Sequence, residues 1–285
     1  MNLQKDAPFK LGLELIFDYD MELCPSIVTL TTDFGTSDGY VSAMKGIMLG
    51  INPHLNLIDV SHDVQPFDIV GAAFLLKQSL RHFPENTVHL VVVDPGVGSI
   101  RQAIAIQHEG HYYVGPDNGL FTLLLETDTP EQIVKLIKTD SAPISMTFHG
   151  RDLFAPVAAH LASGLPFEQC GYRLTHLYPL EWQPPKCNAN EIIGHVVHVD
   201  HFGNCITNIS RDLIEQYSDQ KTVLFSMGNT VIQGIHSTYS DVPEGEMLML
   251  YGSTNNLLEI AICLGNASTH LDLQRSSPIH LQLSP

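Results

Sequence analysis

An apolar run that stops abruptly at an acid most constrains how this chain can fold. Residues 90–93 are leucine and valine, and Asp94-Pro95-Gly96 follows at once. Consecutive apolar or β-branched residues suit a strand covered on both faces, and Pro-Gly ends such a strand. We therefore expect Asp94 at the carboxyl end of a central strand, where open α/β sheets bind ligands. Asp-Pro-Gly is also ordinary turn chemistry, so this stretch alone leaves a plain turn open.

Strand, turn and helix patterns alternate through the first half of the chain. Apolar spacing predicts, in order, a strand at 26–32, a helix at 41–51, a strand at 55–60, a helix at 69–83, strands at 87–93, 102–107 and 112–114, and helical segments at 120–125 and 153–162. Ser37 or Asp38 is the expected N-cap of the first helix, and His108-Glu-Gly110 is the expected hairpin turn between the strands at 102–107 and 112–114. This alternation is typical of an α/β domain with a mainly parallel central sheet.

Three of these strands run into turns that carry acids. Asp33 and Asp38 follow the first strand, Asp94 follows the third, and Asp117 and Asn118 follow the fifth. Parallel strands place their carboxyl ends at one edge of the sheet, so these turns are expected to converge there. His149 directly precedes a predicted helix, where it is either a site residue or incidental to a turn made by Gly150.

The second half of the chain has a different texture. Residues 191–285 read as strand after strand, with a Gly228-Asn229 hairpin turn, which predicts a smaller all-β barrel or sandwich. We place an extension at 1–24, the α/β catalytic domain at 25–178 and a proline-rich linker at 179–190. The stretch 200–208 could stack and hydrogen-bond a planar heterocycle, or could form only a hairpin bulge.

Composition excludes several classes of partner. Acidic residues outnumber basic ones 31 to 14, for a formal charge of -17, and no basic patch would bind nucleic acid or an anionic membrane. Five scattered cysteines indicate neither a zinc site nor a disulfide framework. With no membrane span or signal peptide in the sequence, we expect a cytoplasmic protein.

Taken together, five motifs resemble one known family. They are Thr31-Thr-Asp33-Phe-Gly35 with Asp38-Gly-Tyr40, Val93-Asp94-Pro-Gly-Val-Gly98, Pro116-Asp117-Asn118-Gly119, Phe148-His149-Gly-Arg-Asp152 and Phe202-Gly-Asn204. In this order and spacing the chain, from about residue 27 to its end, resembles the S-adenosyl-L-methionine hydroxide adenosyltransferases, relatives of the adenosyl fluorinase and chlorinase.

The resemblance implies an enzyme in which water attacks the ribose C5′ of S-adenosyl-L-methionine, giving adenosine and methionine without a cofactor or metal. It implies a homotrimer whose site lies between the amino-terminal domain of one subunit and the barrel of the next. Position by position, it implies that Asp94, Arg101 and His149 activate the water. The substrate-binding residues that it implies are Asp38, Phe67, Phe148, Asp200, Phe202, Asn204 and Ser253.

The resemblance also bears on the choice between water and halide. The halogenating relatives carry a long insertion after the first glycine-rich turn and typically have Tyr-Ser where this chain has His149-Gly150. Here only the 17-residue segment 99–115 separates the two turns. Both differences favour water and make 5′-halogenation the less favoured chemistry.

The residues also leave open a metal-dependent hydrolase and a non-catalytic binding protein. Seven residues could contribute to a divalent-metal site, although no paired metal-ligand spacing supports one; they are Asp33, Asp38, His62, Asp63, Asp94, Asp117 and His149. A non-catalytic trimer that binds S-adenosylmethionine or adenosine would retain ligand without turnover. The sequence does not reveal which group accepts the proton of the attacking water.

Overall fold

The fold comes from a computed structural model that describes residues 27–125, 129–138, 143–180, 183–218, 221–227, 230–252 and 256–284. The expectations for the extension at 1–24, for the turn at 228–229 and for Ser253 lie outside these residues. No helix in the described ranges is long and apolar enough to cross a membrane.

The amino-terminal region is built on one seven-stranded sheet. Its strands are β1 (Ile27–Thr32), β2 (Asn56–Ser61), β3 (Val88–Val92), β4 (Ala103–His108), β5 (His111–Pro116), β6 (Gln132–Leu136) and β7 (Gly171–Arg173). The spatial order is β2-β1-β3-β5-β4-β6-β7. The α/β class is confirmed, and β2, β1, β3 and β5 are parallel.

The other half of this sheet is antiparallel, for a local reason. A two-residue turn joins β4 to β5, and both of its residues, Glu109 and Gly110, have positive φ. Such a turn makes a hairpin, whereas a parallel connection needs a crossover of a dozen residues or more. The predicted hairpin is thus confirmed, and β6 and β7 continue the antiparallel pairing, which makes the sheet mixed.

Helices cover both faces of the sheet. They are α1 (Tyr40–Ile51), α2 (Ile69–Ser79), α3 (Thr122–Leu125) and α4 (Ala155–Ala162). Along β3, Leu90 packs in the cluster that contains α4, while Val91 packs in the cluster that contains α2, and both are fully buried. The prediction of a strand covered on both faces is therefore confirmed.

The predicted cap of α1 is wrong. Gly39, not Ser37 or Asp38, is the N-cap, and no side chain caps this helix. The cap lies one residue after Asp38, which is exposed in the turn before the helix. By contrast, Asp68 caps α2, because its carboxylate accepts a hydrogen bond from the Gly71 amide at 2.6 Å.

The carboxy-terminal region is a nearly closed antiparallel barrel, as expected. Its elements are β8 (Lys186–Cys187), β9 (Glu191–Val199), β10 (Cys205–Ser210), α5 (Arg211–Ser218), β11 (Thr222–Met227), β12 (Thr230–Gln233), β13 (Met247–Tyr251), β14 (Leu257–Ile262), α6 (Ala267–Leu271) and β15 (Pro278–Ser284). The path runs β12-β11-β15-β9-β10-β14-β13, and β8 pairs with β9. A bridge between His236 and Leu250 brings the two ends of this path together.

The segment after β7 is fixed to the amino-terminal region. Asp117 accepts a hydrogen bond from the Tyr178 amide at 2.8 Å, and Thr122 accepts one from the Leu180 amide at 2.9 Å. Gly119 leaves no room for a side chain, because a Cβ there would lie 2.7 Å from the Leu180 backbone. Asp117 therefore has a structural role, while the domain boundary at 179–190 stays a prediction.

Candidate active site

The acidic turns after β1, β3 and β5 lie at one edge of the sheet, because these three strands are parallel. Asn118 ties two of them together: its amide Nδ2 donates to the Val93 carbonyl at 3.0 Å. Asp33 reaches the loop that follows β2, where it accepts a hydrogen bond from the Phe67 amide at 2.8 Å. These hydrogen bonds join the β5 turn to the end of β3, and the β1 turn to the loop after β2.

Asp94 and Arg101 form a buried ion pair across the turn after β3. Arg101 Nε donates to Asp94 Oδ1 at 2.9 Å, and Nη2 donates to Oδ2, so the pairing is bidentate. The Asp94 and Arg101 side chains are only 4% and 9% exposed, respectively. The guanidinium carbon lies 5.3 Å from the centre of the Phe154 ring. The arginine is thus held on two sides.

His149 completes this arrangement, which we call the charged trio (Asp94, Arg101 and His149). Arg101 Nη2 and His149 Nδ1 are 2.8 Å apart. Because a guanidinium can only donate, Nδ1 must accept, and the proton of the neutral ring is on Nε2. Burial, and then the Arg101 charge, lower the pKa of His149 below its ordinary value of 6.5. The ring is therefore neutral at neutral pH and offers a donor at Nε2.

Local backbone geometry brings the trio together. His149 directly precedes a single π-helical turn, Gly150–Phe154, which leads into α4. The prediction that it lies at a helix start is therefore confirmed. Gly98, with φ of 77°, packs so closely on the segment before His149 that a Cβ would lie 2.6 Å from the Met146 carbonyl oxygen. Only glycine allows this approach.

Aromatic side chains surround the same edge. The Phe148 ring packs against Tyr40 and Phe34, with centroids 5.3 and 6.0 Å away. Phe67 is 70% exposed and has a positive φ of 68°. Phe34 and Tyr40 were not among the predicted site residues, although both lie inside the motif that contains Asp33 and Asp38.

The second group of predicted residues lies in the hairpin loop between β9 and β10, which we call the Phe202 loop (residues 200–204). Asp200 organises it: Oδ1 accepts from the amides of Phe202 and Asn204 at 2.9 and 2.8 Å, and Oδ2 accepts from Asn204 Nδ2 at 2.9 Å. Gly203 supplies the positive φ of 86° that closes the loop. Phe202 is left 73% exposed.

The Phe202 loop borders a cleft of about 780 Å³ whose other walls come from Tyr239 and the end of β14. Tyr239 donates to Glu259 Oε2 at 2.9 Å and lies 3.5 Å from Asn204 Nδ2. Tyr239 and Glu259 were not among the site residues predicted from the sequence, because no local pattern links them to Asn204. The cleft is lined entirely by the carboxy-terminal region, and within the described ranges no hydrogen bond, ion pair or ring contact joins it to the trio.

The candidate metal ligands do not assemble into a chelating cluster. Among the residues that the structure describes, no group of three or more His, Cys, Asp or Glu side chains is arranged to hold a metal ion. His62 instead lies 2.9 Å from Thr32 Oγ1 and 2.9 Å from Asp59. These contacts tie the end of β2 to that of β1.

Comparison with known proteins agrees with this architecture. Residues 28–171 match the SAM hydroxide adenosyltransferase N-terminal domain, and residues 194–280 match the corresponding C-terminal domain. The (R)-S-adenosyl-L-methionine hydrolase of Methanocaldococcus jannaschii is 36% identical over 90% of this chain and 95% of its own. A fluorinase of Actinopolyspora mzabensis is 29% identical over 66% of this chain and 73% of its own.

A solved structure gives the same result for the fold. The crystal structure of an uncharacterized conserved protein from Thermotoga maritima superposes with a TM-score of 0.81 and 38% identity, covering 90% of this chain and 99% of that one. Both domain matches, the hydrolase identity and this superposition extend over most of the chain. The chain therefore belongs to the SAM hydroxide adenosyltransferase family.

Proposed function

We propose that this protein hydrolyses S-adenosyl-L-methionine at the ribose C5′, giving adenosine and L-methionine. The observation that carries the proposal is the charged trio: a buried bidentate ion pair whose arginine also fixes the tautomer of His149. Membership of the family supports the substrate, and the Methanocaldococcus hydrolase supports water as the nucleophile.

The reaction needs little chemical help beyond positioning. The water oxygen forms a bond to C5′ as the C5′–S bond breaks, and the bonding electrons neutralise the sulfonium to give the thioether of methionine. The protonated oxygen at C5′ then gives its extra proton to the surrounding water and becomes the 5′-hydroxyl of adenosine. Since the leaving group is neutral, the main task of the protein is to align a weak nucleophile with the carbon.

The geometry gives His149 a defined part in that task. With Nδ1 occupied by Arg101, the neutral ring presents Nε2–H, which can donate to the water oxygen and hold it in line with C5′. The same tautomer cannot accept the proton at Nε2. We therefore propose that His149 orients the water and that the proton leaves after the C–O bond forms.

Water is preferred to halide for two structural reasons. The segment between the two glycine-rich turns is filled by the β4–β5 hairpin. At Gly150 a Cβ would lie 3.2 Å from Met44 Sδ and 3.3 Å from the Phe148 ring, so the position is too tight for a serine hydroxyl without movement. Gly150 also lacks the side-chain hydroxyl with which a serine could donate a hydrogen bond to a halide.

We propose further that the site forms between subunits of a homotrimer. Each region presents an exposed aromatic, Phe67 in the loop after β2 and Phe202 in the Phe202 loop, which suits two surfaces that meet across a planar ligand. In this arrangement Asp38, Phe67 and Phe148 approach the ribose side. Asp200, Phe202 and Asn204 approach the adenine and methionine side from the neighbouring subunit.

The product assay tests the proposed reaction directly. Purified protein is incubated with S-adenosyl-L-methionine and chloride, and adenosine, methionine and 5′-chloro-adenosine are quantified by liquid chromatography. We expect adenosine and methionine in equal amounts, before and after prolonged EDTA treatment. Retention of ligand without products would indicate a binding protein, loss of activity in EDTA a metal-dependent hydrolase, and chlorinated product a halogenase.

Subunit complementation tests where the site forms. His149→Ala inactivates the trio, and Asn204→Ala inactivates the Phe202 loop. If each site combines the two regions from adjacent subunits, every mixed trimer regains one native site, and co-expressed variants recover activity that neither has alone. A site within one chain predicts no recovery on mixing. Sedimentation of the wild type at matched concentration checks the trimer itself.

A further inference from the structure

Tyr239 lies beside Asn204 in the wall of the cleft, and Glu259 lies behind Tyr239, outside the lining of the cleft. Tyr239 donates to Glu259 Oε2 at 2.9 Å, and Glu259 is only 8% exposed. Burial, and then the Glu259 charge, raise the pKa of Tyr239. The phenol therefore stays protonated, and its O–H donates a hydrogen bond to the Glu259 carboxylate. A lone pair of the phenol oxygen is then free to accept from Asn204 Nδ2.

The Asn204 amide is consequently held in one orientation. Its Nδ2 has two hydrogens, and two acceptors face them: Asp200 Oδ2 at 2.9 Å and the Tyr239 oxygen at 3.5 Å. The opposite orientation would place the amide oxygen against both of these oxygens. No residue in the described ranges donates to Asn204 Oδ1. Because Asn204 lines the cleft, Oδ1 is free to accept a hydrogen bond from a ligand bound there.

We infer that Tyr239 and Glu259 are positioning residues that make the cleft select a purine with a 6-amino group over one with a 6-oxo group. The inference rests on the proposed function, because it assumes that a purine stacks on Phe202. A 6-amino group donates to Asn204 Oδ1, whereas a 6-oxo group places a second acceptor there. Glu259 does not line the cleft and acts through Tyr239, which lines the cleft and holds the Asn204 amide.

The test compares adenosine with inosine, which differ at this position. Isothermal titration calorimetry on the intact protein is expected to give about 10- to 100-fold tighter binding of adenosine. Tyr239→Phe keeps the ring but removes the oxygen that holds the amide, so the preference for adenosine is expected to fall by about fivefold or more. Tyr217→Phe, which removes a hydroxyl elsewhere in the barrel, is the matched control and should keep the wild-type ratio.

Glu259 provides a graded version of the same test. Glu259→Gln retains an acceptor for the Tyr239 hydroxyl and should keep most of the preference, whereas Glu259→Leu should lose it. A purely structural role would lower affinity for both nucleosides equally and leave their ratio unchanged.

The outcomes separate this inference from the proposed reaction. If the wild type binds both nucleosides equally or binds neither, or if Tyr239→Phe retains the wild-type ratio, the inference is wrong. If the ratio behaves as expected but the product assay yields no adenosine, the cleft selects 6-aminopurines and only the hydrolysis proposal fails.

Discussion

The two halves of the proposed site differ in how far their side chains are buried and paired within their own region. The charged trio is buried, and its members satisfy one another through a bidentate ion pair and an arginine–histidine hydrogen bond. In the Phe202 loop, Asp200 accepts hydrogen bonds from backbone amides and from the Asn204 side chain, while the Phe202 ring is exposed to solvent. The trio is thus preorganised within its own region, whereas the loop keeps an apolar surface that only another molecule can cover. Substitutions should separate these two kinds of residue.

Removing Arg101 should have the largest effect. Arg101→Ala leaves the Asp94 carboxylate buried without its partner, and we expect the free energy of unfolding to fall by about 3–5 kcal/mol, together with loss of activity. Urea denaturation measures the change. Arg211→Ala breaks an exposed i,i+4 pair with Glu215 and should cost less than about 1 kcal/mol. A similar small loss at Arg101 would show that the ion pair is not buried as described.

Replacing His149 should affect turnover far more than folding. Because the ring orients the attacking water, His149→Ala is expected to lower kcat by about 100-fold or more, with little change in KM. Steady-state adenosine formation measures both constants, and His280→Ala, at an exposed position on β15, is the control. Near-normal kcat would remove His149 from the mechanism.

The pH profile of activity should report the protonation of His149 in the trio. The pKa of His149 lies below 6.5 in the folded protein because of burial and the Arg101 charge. The midpoint of the acid loss of activity should therefore lie below pH 6.5. Activity should fall only as acid protonates Nδ1, which removes the acceptor facing Arg101 and sets two positive charges together. A midpoint above pH 6.5 would mean that another group controls the rate.

Removing an exposed aromatic should have the smallest effect on the fold. Phe202→Ala is expected to raise KM about tenfold, as for the loss of one stacking contact, with the free energy of unfolding changed by less than about 0.5 kcal/mol. Thermal denaturation and steady-state kinetics measure these quantities. Phe154→Ala, which removes a fully buried ring, is the contrasting variant and should cost about 3–5 kcal/mol. A large loss of stability at Phe202 would erase the distinction drawn between the two regions.

Sequence patterns predicted the features that depend on neighbours along the chain. The strand ending before Asp94, the β4–β5 hairpin and the barrel strands follow from local apolar periodicity and turn chemistry. The structural roles of Asp117 and Asp200 could not be predicted in this way, because an acid in a turn has the same local sequence pattern whether it binds a ligand or a backbone amide. Tyr239 and Glu259 escaped notice because they reach Asn204 only through the pairing of β10 with β14 and the bridge that joins His236 to Leu250.

The exposure of Phe67 and Phe202 has a consequence for how the protein is switched on. If the site forms only where two subunits meet, a newly made single chain is inactive towards its substrate. Activity per chain then rises with chain concentration and is lost on dilution. The concentration of the protein therefore determines what fraction of the chains is assembled into active sites. A cell would thereby retain its sulfonium pool until enough chains had accumulated to assemble.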